Sequence, residues 1–263
     1  MNIKTIISLI IILFSSVALT AQEEEMIIEP LNKDAQYRFS FENPKGSVNI
    51  TGYDGSVVIV QGKLRDQPVN SPDEGDLKII QPYRFNLSAE AKETEILLKC
   101  ESFNRTVDFD IMVPRKYDLK VASNDNGQVS VLRIDGEIDV RNPNGNIIIQ
   151  NVTGPVVAST IFGEARIMFS SLPAHKPSMI TSYNGNIEIL LPEESDIDFA
   201  VKTARGELIT DLDLKMQKRE TAVVSTADAR TYRQEEAVKA RLNKGGTEFI
   251  LNSYYGNISI KSK

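Results

Sequence analysis

The residues that could do chemistry are few and scattered. The single histidine, His175, stands in Leu172-Pro173-Ala174-His175-Lys176-Pro177. A Ser–His–Asp or Cys–His arrangement needs a nucleophile and base with a signature around them, and none surrounds His175, which reads as loop decoration. The single cysteine, Cys100, ends the strand-like run Ile96-Leu97-Leu98-Lys99-Cys100. A free Cys in such a run is a small buried hydrophobe, and one Cys cannot build an internal disulfide framework. Asp196/Asp198 and Asp211/Asp213 place carboxylates two apart, which reads as solvated strand decoration. Arg133, Arg141 and Arg166 fall in neighbouring repeats but at different offsets from their glycines, so they do not define one basic face. These residues predict no catalytic, metal or cofactor site.

Aromatic residues are the better candidates, and they point to binding. Tyr183, Tyr254, Tyr255 and Phe162 sit just before recurring glycines. Tyr and Phe are enriched where proteins bind partners, so these four are the candidate contact residues for a protein or a glycan. Filling of grooves between repeats is the other reading.

Those aromatics are positioned by a repeat. Gly127, Gly136, Gly145, Gly154 and Gly163 fall nine residues apart, and Gly46 and Gly55 repeat the interval upstream. Two classes of turn alternate. The first reads Asn/Ser/Thr-x-x-Gly and ends at Gly46, Gly127, Gly145, Gly163, Gly185, Gly206 and Gly256. Its pattern fits a type I turn, with a small acceptor first, Pro tolerated second and Gly taking positive φ. The second reads apolar-Asp/Thr-Gly and ends at Gly55, Gly136 and Gly154.

Apolar residues recur at the second and fourth positions after each glycine: Val48/Ile50, Val57/Ile59, Val129/Val131, Ile138/Val140, Ile147/Ile149, Val156/Ala158, Ala165/Ile167, Ile187/Ile189 and Ile258/Ile260. Period two marks a strand with one buried face. First-class glycines from 127 to 206 are spaced 18, 18, 22 and 21 residues apart. One such unit cannot bury its own apolar side chains, whereas stacked units close a continuous core. The sequence therefore predicts an all-β chain wound as a single-chain parallel β-solenoid (β-helix), with an irregular β cap region at its N-terminal end. Hairpins are the competing reading, because Asn-Gly between strands also signals them; the near-constant interval and the two turn classes favour winding.

The pattern divides the chain into four parts. Residues 1–21 read as a secretory signal peptide: Lys4, an apolar core over Ile6–Phe14, then small residues with cleavage near Ala21. That core falls short of the ~20 residues a bilayer span takes, which favours cleavage over a retained anchor; with no second apolar stretch of spanning length in the sequence, the mature chain is expected to be soluble and free of a transmembrane segment. Residues 22–36 read as a linker. Residues 37–115 read as an N-terminal β region or first coils, with strands over 37–41, 46–50, 56–64, 84–89, 95–100 and 106–113 and a loop over 66–82. Residues 116–263 read as the solenoid coils, interrupted by an irregular insertion at 215–244. Gln234–Leu242 in that insertion fits either a short helix or an extended excursion. The last coil is expected to complete the stack at Thr247–Lys261.

Charge narrows the partners. The net charge is −6 at pH 7, a poor match for nucleic acid or an anionic membrane surface. Calcium binding between nonapeptide coils needs carboxylates two residues after the last Gly, where this chain has Val129, Ile138, Ile147 and Val156.

The glycine-punctuated pattern, the strand ends Val113-Pro114, Leu172-Pro173 and Leu191-Pro192, and the final Leu242-Asn243-Lys244-Gly245-Gly246 and Ser253-Tyr254-Tyr255-Gly256-Asn257-Ile258-Ser259-Ile260 together resemble the bacterial "putative adhesin" domain family of unknown function. The resemblance covers roughly residues 37–263. It implies a β-solenoid and an envelope or surface location, and its motifs are structural turns. The expected function is a non-enzymatic, exported, adhesin-like scaffold in the periplasm, on the outer surface or secreted. The alternatives are a carbohydrate-active β-helix enzyme of lyase or hydrolase type, and a periplasmic accessory protein for envelope stress or assembly.

Overall fold

The structure is a computed structural model that describes residues 24–32, 35–65, 86–125, 127–172, 176–217, 221–225, 230–234 and 237–263. The expected signal peptide, the loop over 66–82 and His175 lie outside the described residues.

Every regular element described is a strand. The first part of the chain holds β1 (Glu24–Ile28), β2 (Arg38–Asn43), β3 (Val48–Tyr53), β4 (Val58–Leu64), β5 (Leu87–Ala91), β6 (Glu95–Cys100) and β7 (Val107–Pro114). The middle holds β8 (Asp118–Ser123), β9 (Val129–Leu132), β10 (Ile138–Arg141), β11 (Ile147–Val152), β12 (Val156–Thr160), β13 (Ala165–Phe169), β14 (Ser178–Ser182) and β15 (Ile187–Leu191). The last part holds β16 (Ile197–Thr203), β17 (Leu208–Thr210), β18 (Lys215–Met216), β19 (Thr221–Ser225), β20 (Arg230–Gln234), β21 (Val238–Leu242), β22 (Thr247–Ser253) and β23 (Ile258–Ser262).

They form two large sheets and one separate hairpin. A ten-stranded sheet runs β1-β4-β7-β3-β9-β11-β13-β15-β23-β17, and an eleven-stranded sheet runs β18-β21-β16-β22-β14-β12-β10-β8-β2-β6-β5. The hairpin is β19-β20. Apolar positions of period two enter one contiguous core, in which Ile147, Ile167, Ile187, Ile189 and Ile258 are fully buried. Register joins like to like: Ile149 faces Ile167, Ile167 faces Ile189, and Ile189 faces Ile260.

Both sheets are mixed, which corrects the expectation of a wholly parallel winding. The interior of each sheet is parallel, from β7 to β17 in one and from β6 to β16 in the other. Antiparallel strands close three of the four ends, with β1 on β4 and β4 on β7, β5 on β6, and β18 on β21 and β21 on β16, while β17 ends the ten-stranded sheet as a parallel strand on β23. The physical reason lies in the edges, since an open parallel edge presents unpaired backbone to further strands. Residues 24–28, expected as linker, serve this purpose as β1, with Ile28 buried. Val238–Leu242, in the expected irregular insertion, is likewise a strand: Ala240 and Leu242 are buried at alternate positions.

Stacking order is not chain order. The C-terminal β22 lies between β14 and β16, and β23 lies between β15 and β17. At the other end β2 and β3 sit inside β6 and β7. The last segment therefore enters one place in from the end of the stack, where sequence alone placed it at the end.

Two further expectations change for physical reasons. Among the first-class glycines only Gly46 has positive φ, at 121°. The others are required by close approach: a Cβ on Gly185 would stand 1.8 Å from the carbonyl oxygen of Gly163, and one on Gly145 equally close to that of Gly127. The Ser or Thr three residues earlier ties the same corner together. Ser182 Oγ accepts from Gly185 N–H at 2.9 Å and donates to Gly163 O at 3.1 Å. Ser253 and Thr203 repeat this with Gly256/Gly185 and Gly206/Gly256. The second correction is at Gly55, whose turn joins β3 to β4 within one sheet. The chain reverses there, so Val58 and Val60 are buried in place of the expected Val57 and Ile59.

Candidate functional site

The first-class corners line up along one rim of the stack. Their second residues form a column of Pro143, Ile161, Tyr183, Tyr254 and Ala204. Each step is held by a backbone N–H from the third corner residue of the next unit. Phe162 donates to Pro143 O (2.8 Å), Asn184 to Ile161 O (2.9 Å), Tyr255 to Tyr183 O (3.0 Å) and Arg205 to Tyr254 O (3.0 Å).

Three of the four expected aromatics meet there. Tyr183 and Tyr254 stack with centroids 5.0 Å apart and planes at 12°. Tyr255 meets both edge-on, at 5.6 Å from Tyr183 and 4.7 Å from Tyr254. The guanidinium of Arg205 lies 5.2 Å from the Tyr255 centroid, a cation–π contact. All three rings are exposed by more than two-fifths, so they do not fill a core groove. Phe162 occupies the same corner one unit earlier and is 65% exposed.

Beside the column runs a groove of about 940 Å³ on the outer face of the eleven-stranded sheet. Its floor is a second column in strict register: Ser159 faces Thr181, Thr181 faces Asn252, and Asn252 faces Lys202. The groove thus has one wall of Ile161, Tyr183, Tyr254 and Ala204 and one polar floor. Among the described residues that line it, none carries a carboxylate. Sequence reasoning named the rings but not Arg205 or the polar column. A signal was available, because each floor residue immediately precedes the corner Ser or Thr.

Further along the same face a second groove of about 670 Å³ is lined by both signs of charge, among them Glu42, Glu95, Asp139, Lys99, Lys120 and Arg141.

The other sequence candidates are dispersed. Cys100 is buried, and burial pushes its thiol above the ordinary value. Asp196 and Asp198 hold a turn: their carboxylates accept from Lys244 N–H (3.0 Å) and Gly246 N–H (3.1 Å). Arg241 donates to Asp198 at 2.7 Å. Asp211 accepts from Ser262 N–H at 2.9 Å. Arg141 lies on the outer face of the eleven-stranded sheet and Arg166 on that of the ten-stranded sheet, while Arg133 follows β9 at φ 58°. Arg166 and Lys261 both pair with Glu188, and the Lys261 hydrogen bond, with Arg166 beside it, holds that carboxyl below its ordinary value. Among the described residues no group of three or more His, Cys, Asp or Glu could hold a metal ion.

The fold and rim define an all-β protein of two mixed sheets with an exposed aromatic corner. No family model matches the chain, and no curated protein matches it. Among solved structures it is similar to a putative cell adhesion protein from Clostridium sporogenes, at 13% identity and a TM-score of 0.45, over 92% of this chain and 99% of that one. It is also similar to a putative lipid binding protein from Parabacteroides distasonis (10%, TM-score 0.29, over 93% and 98% of the two chains). A putative adhesin from Bacteroides fragilis is a third (9%, TM-score 0.30, over 92% and 97%). Likenesses this distant bear on neither activity nor partner. Among the described residues no helix is long and apolar enough to cross a membrane.

Proposed function

We propose that this chain is a non-enzymatic, exported binding scaffold of the cell envelope or surface, whose parallel interior is a β-solenoid that presents its aromatic corner to a protein or glycan partner. The observation that carries this reading is the exposed cluster of Tyr183, Tyr254 and Tyr255 beside a groove floored by Ser159, Thr181, Asn252 and Lys202. Large, rigid rings supply contact area at low entropic cost, which is why they dominate binding hot spots. A stack of hydrogen-bonded strands keeps such rings in fixed register, so little ordering is required on binding. Export rests on the signal-like residues 1–21.

A carbohydrate-active enzyme is the second reading, and the mixed-charge groove favours it, because glycoside cleavage uses paired carboxylates. One assay separates the two. The purified protein is titrated with a panel of polysaccharides and envelope proteins while product formation is followed. Saturable binding without product is expected. Release of shortened sugar chains would overturn the scaffold reading in favour of the enzyme.

A further inference from the structure

The outer face of the eleven-stranded sheet is apolar at positions where a strand face in water would be polar. Beside the ladder of Ser159, Thr181 and Asn252 runs a second column, Val157, Met179 and Ile250, in the same register. Val157 and Met179 are each exposed by more than two-fifths. On the other side of the ladder stands the wall of Ile161, Tyr183 and Tyr254. Across β12, β14 and β22 the face therefore reads apolar, polar, apolar, and it repeats at the ~4.8 Å strand spacing. A contiguous exposed apolar area with polar groups through it marks an interaction surface.

Three features of this face fit one occupant. A partner that touches every unit must itself repeat at the strand spacing, which a second stack of the same kind does. The pattern is also self-complementary. A twofold axis normal to the sheet and passing through the ladder turns the apolar column of one copy onto the ring wall of the other, and lays ladder on ladder. Finally, Tyr183 and Tyr254 each shield a face of the other, so the pair offers a partner mainly ring edges and hydroxyls. Ring edges suit Met sulfur, and the apolar column supplies Met179.

We propose that this face closes against a second copy of the chain, on a twofold axis passing between Ser159 and Thr181. The proposal rests on the reading of the corner as a binding face and names the protein partner for it. With the axis there, Val157 meets the second copy's Tyr183, and Met179 meets its Ile161. Ser159 meets the second copy's Thr181, and each hydroxyl can both donate and accept. One strand further out, Asp139 and Arg141 on β10 pair with Val157 and Ser159, which sets them opposite the second copy's Tyr254 and Asn252. The Tyr254 hydroxyl can donate to the Asp139 carboxylate, and Arg141 to the amide oxygen of Asn252. Over these four strands apolar groups meet apolar groups, polar groups meet polar groups, and no like charges are opposed. Two outer faces joined in this way make the aligned sheet-on-sheet packing of a β-sandwich, about 10 Å apart.

The test is sedimentation of the purified protein by analytical ultracentrifugation, from about 1 to about 200 μM. A reversible monomer–dimer equilibrium is expected, with a Kd in about the micromolar range for a face of four strands. Met179→Lys puts a charge into the apolar column, and Tyr183→Ala removes the ring that Val157 would meet. Each is expected to raise the Kd by about tenfold or more, with the melting temperature of the dilute protein unchanged. Ser130→Lys, on the outer face of the ten-stranded sheet, is expected to leave the Kd as it is. A dimer that persists in both Met179→Lys and Tyr183→Ala is made by another face and overturns the proposal. If the chain stays monomeric throughout while Tyr183→Ala weakens binding of a glycan or another protein, the corner reading stands and the second copy falls. If the chain stays monomeric and nothing in the panel of polysaccharides and envelope proteins binds, both fall.

Discussion

The rings of Tyr183 and Tyr254 stack 5.0 Å apart although strands β15 to β22 lie between them in the chain. This contact exists because β22 enters the sheet between β14 and β16. Had the units wound in chain order, Tyr183 would face Ala204 and the aromatic column would be broken. Stacking order and the candidate site are thus one feature.

The C-terminal unit should accordingly be structural as well as functional. Phe249 on β22 is fully buried, with Phe169 at 5.2 Å and Phe199 at 5.8 Å from its centroid. Its ring bridges the units on both sides. Phe249→Ala is expected to cost about 3–5 kcal/mol, measured by denaturant unfolding. The same change should raise amide exchange in β16 and β17 more than in β8 and β9.

The glycine column predicts a cost with a different origin. A Cβ at Gly185 would lie 1.8 Å from Gly163 O and 2.4 Å from its carbonyl carbon, both backbone atoms. Neither can move without parting two units. Gly185→Ala should destabilise by about 3 kcal/mol, far more than Ala for Gly at a turn that only exploits positive φ. An unchanged unfolding midpoint would show that the corner can open freely.

These corners mark how far the sequence is legible. Spacing and turn class identify the strands, because every corner needs its Gly and its Ser, Thr or Asn whichever unit stacks beside it. Interior positions such as Ile147 and Ile149 follow for the same reason. What stays hidden is which unit lies beside which. Ile187 and Ile258 carry the same local pattern as the pairs that are sequential, and nothing local says that β23 passes β17 to reach β15. Strand direction at the ends is hidden likewise: the Gly55 turn resembles those at Gly136 and Gly154 but reverses the chain. For the site, sequence names Tyr183, Tyr254 and Tyr255 as corner residues, while their contact and the role of Arg205 depend on the insertion of β22.

Acid should weaken the outer face of the ten-stranded sheet. Lys261 hydrogen-bonds Glu188 at 2.9 Å and Arg166 pairs with its other oxygen, so the folded carboxyl ionises below its ordinary value near 4.5. A group with a depressed folded pKa stabilises the fold above its unfolded pKa, and that contribution is lost as pH falls through the folded value. Glu188→Gln should therefore lower stability at neutral pH and flatten its decline below about pH 4.5. Equilibrium unfolding across that range provides the check; identical acid limbs for the two proteins would contradict the assignment.

The central claim is that the aromatic corner is the binding face, and the Tyr183→Ala/Tyr254→Ala double variant tests it most directly. Both rings are exposed, so stability should change by no more than about 1 kcal/mol. Affinity for the glycan or protein that saturates the wild-type chain should fall by about 30-fold or more, consistent with removal of two ring anchors at 1 kcal/mol or more each. Full affinity in a stably folded double variant would contradict the account and move the binding face elsewhere on the stack.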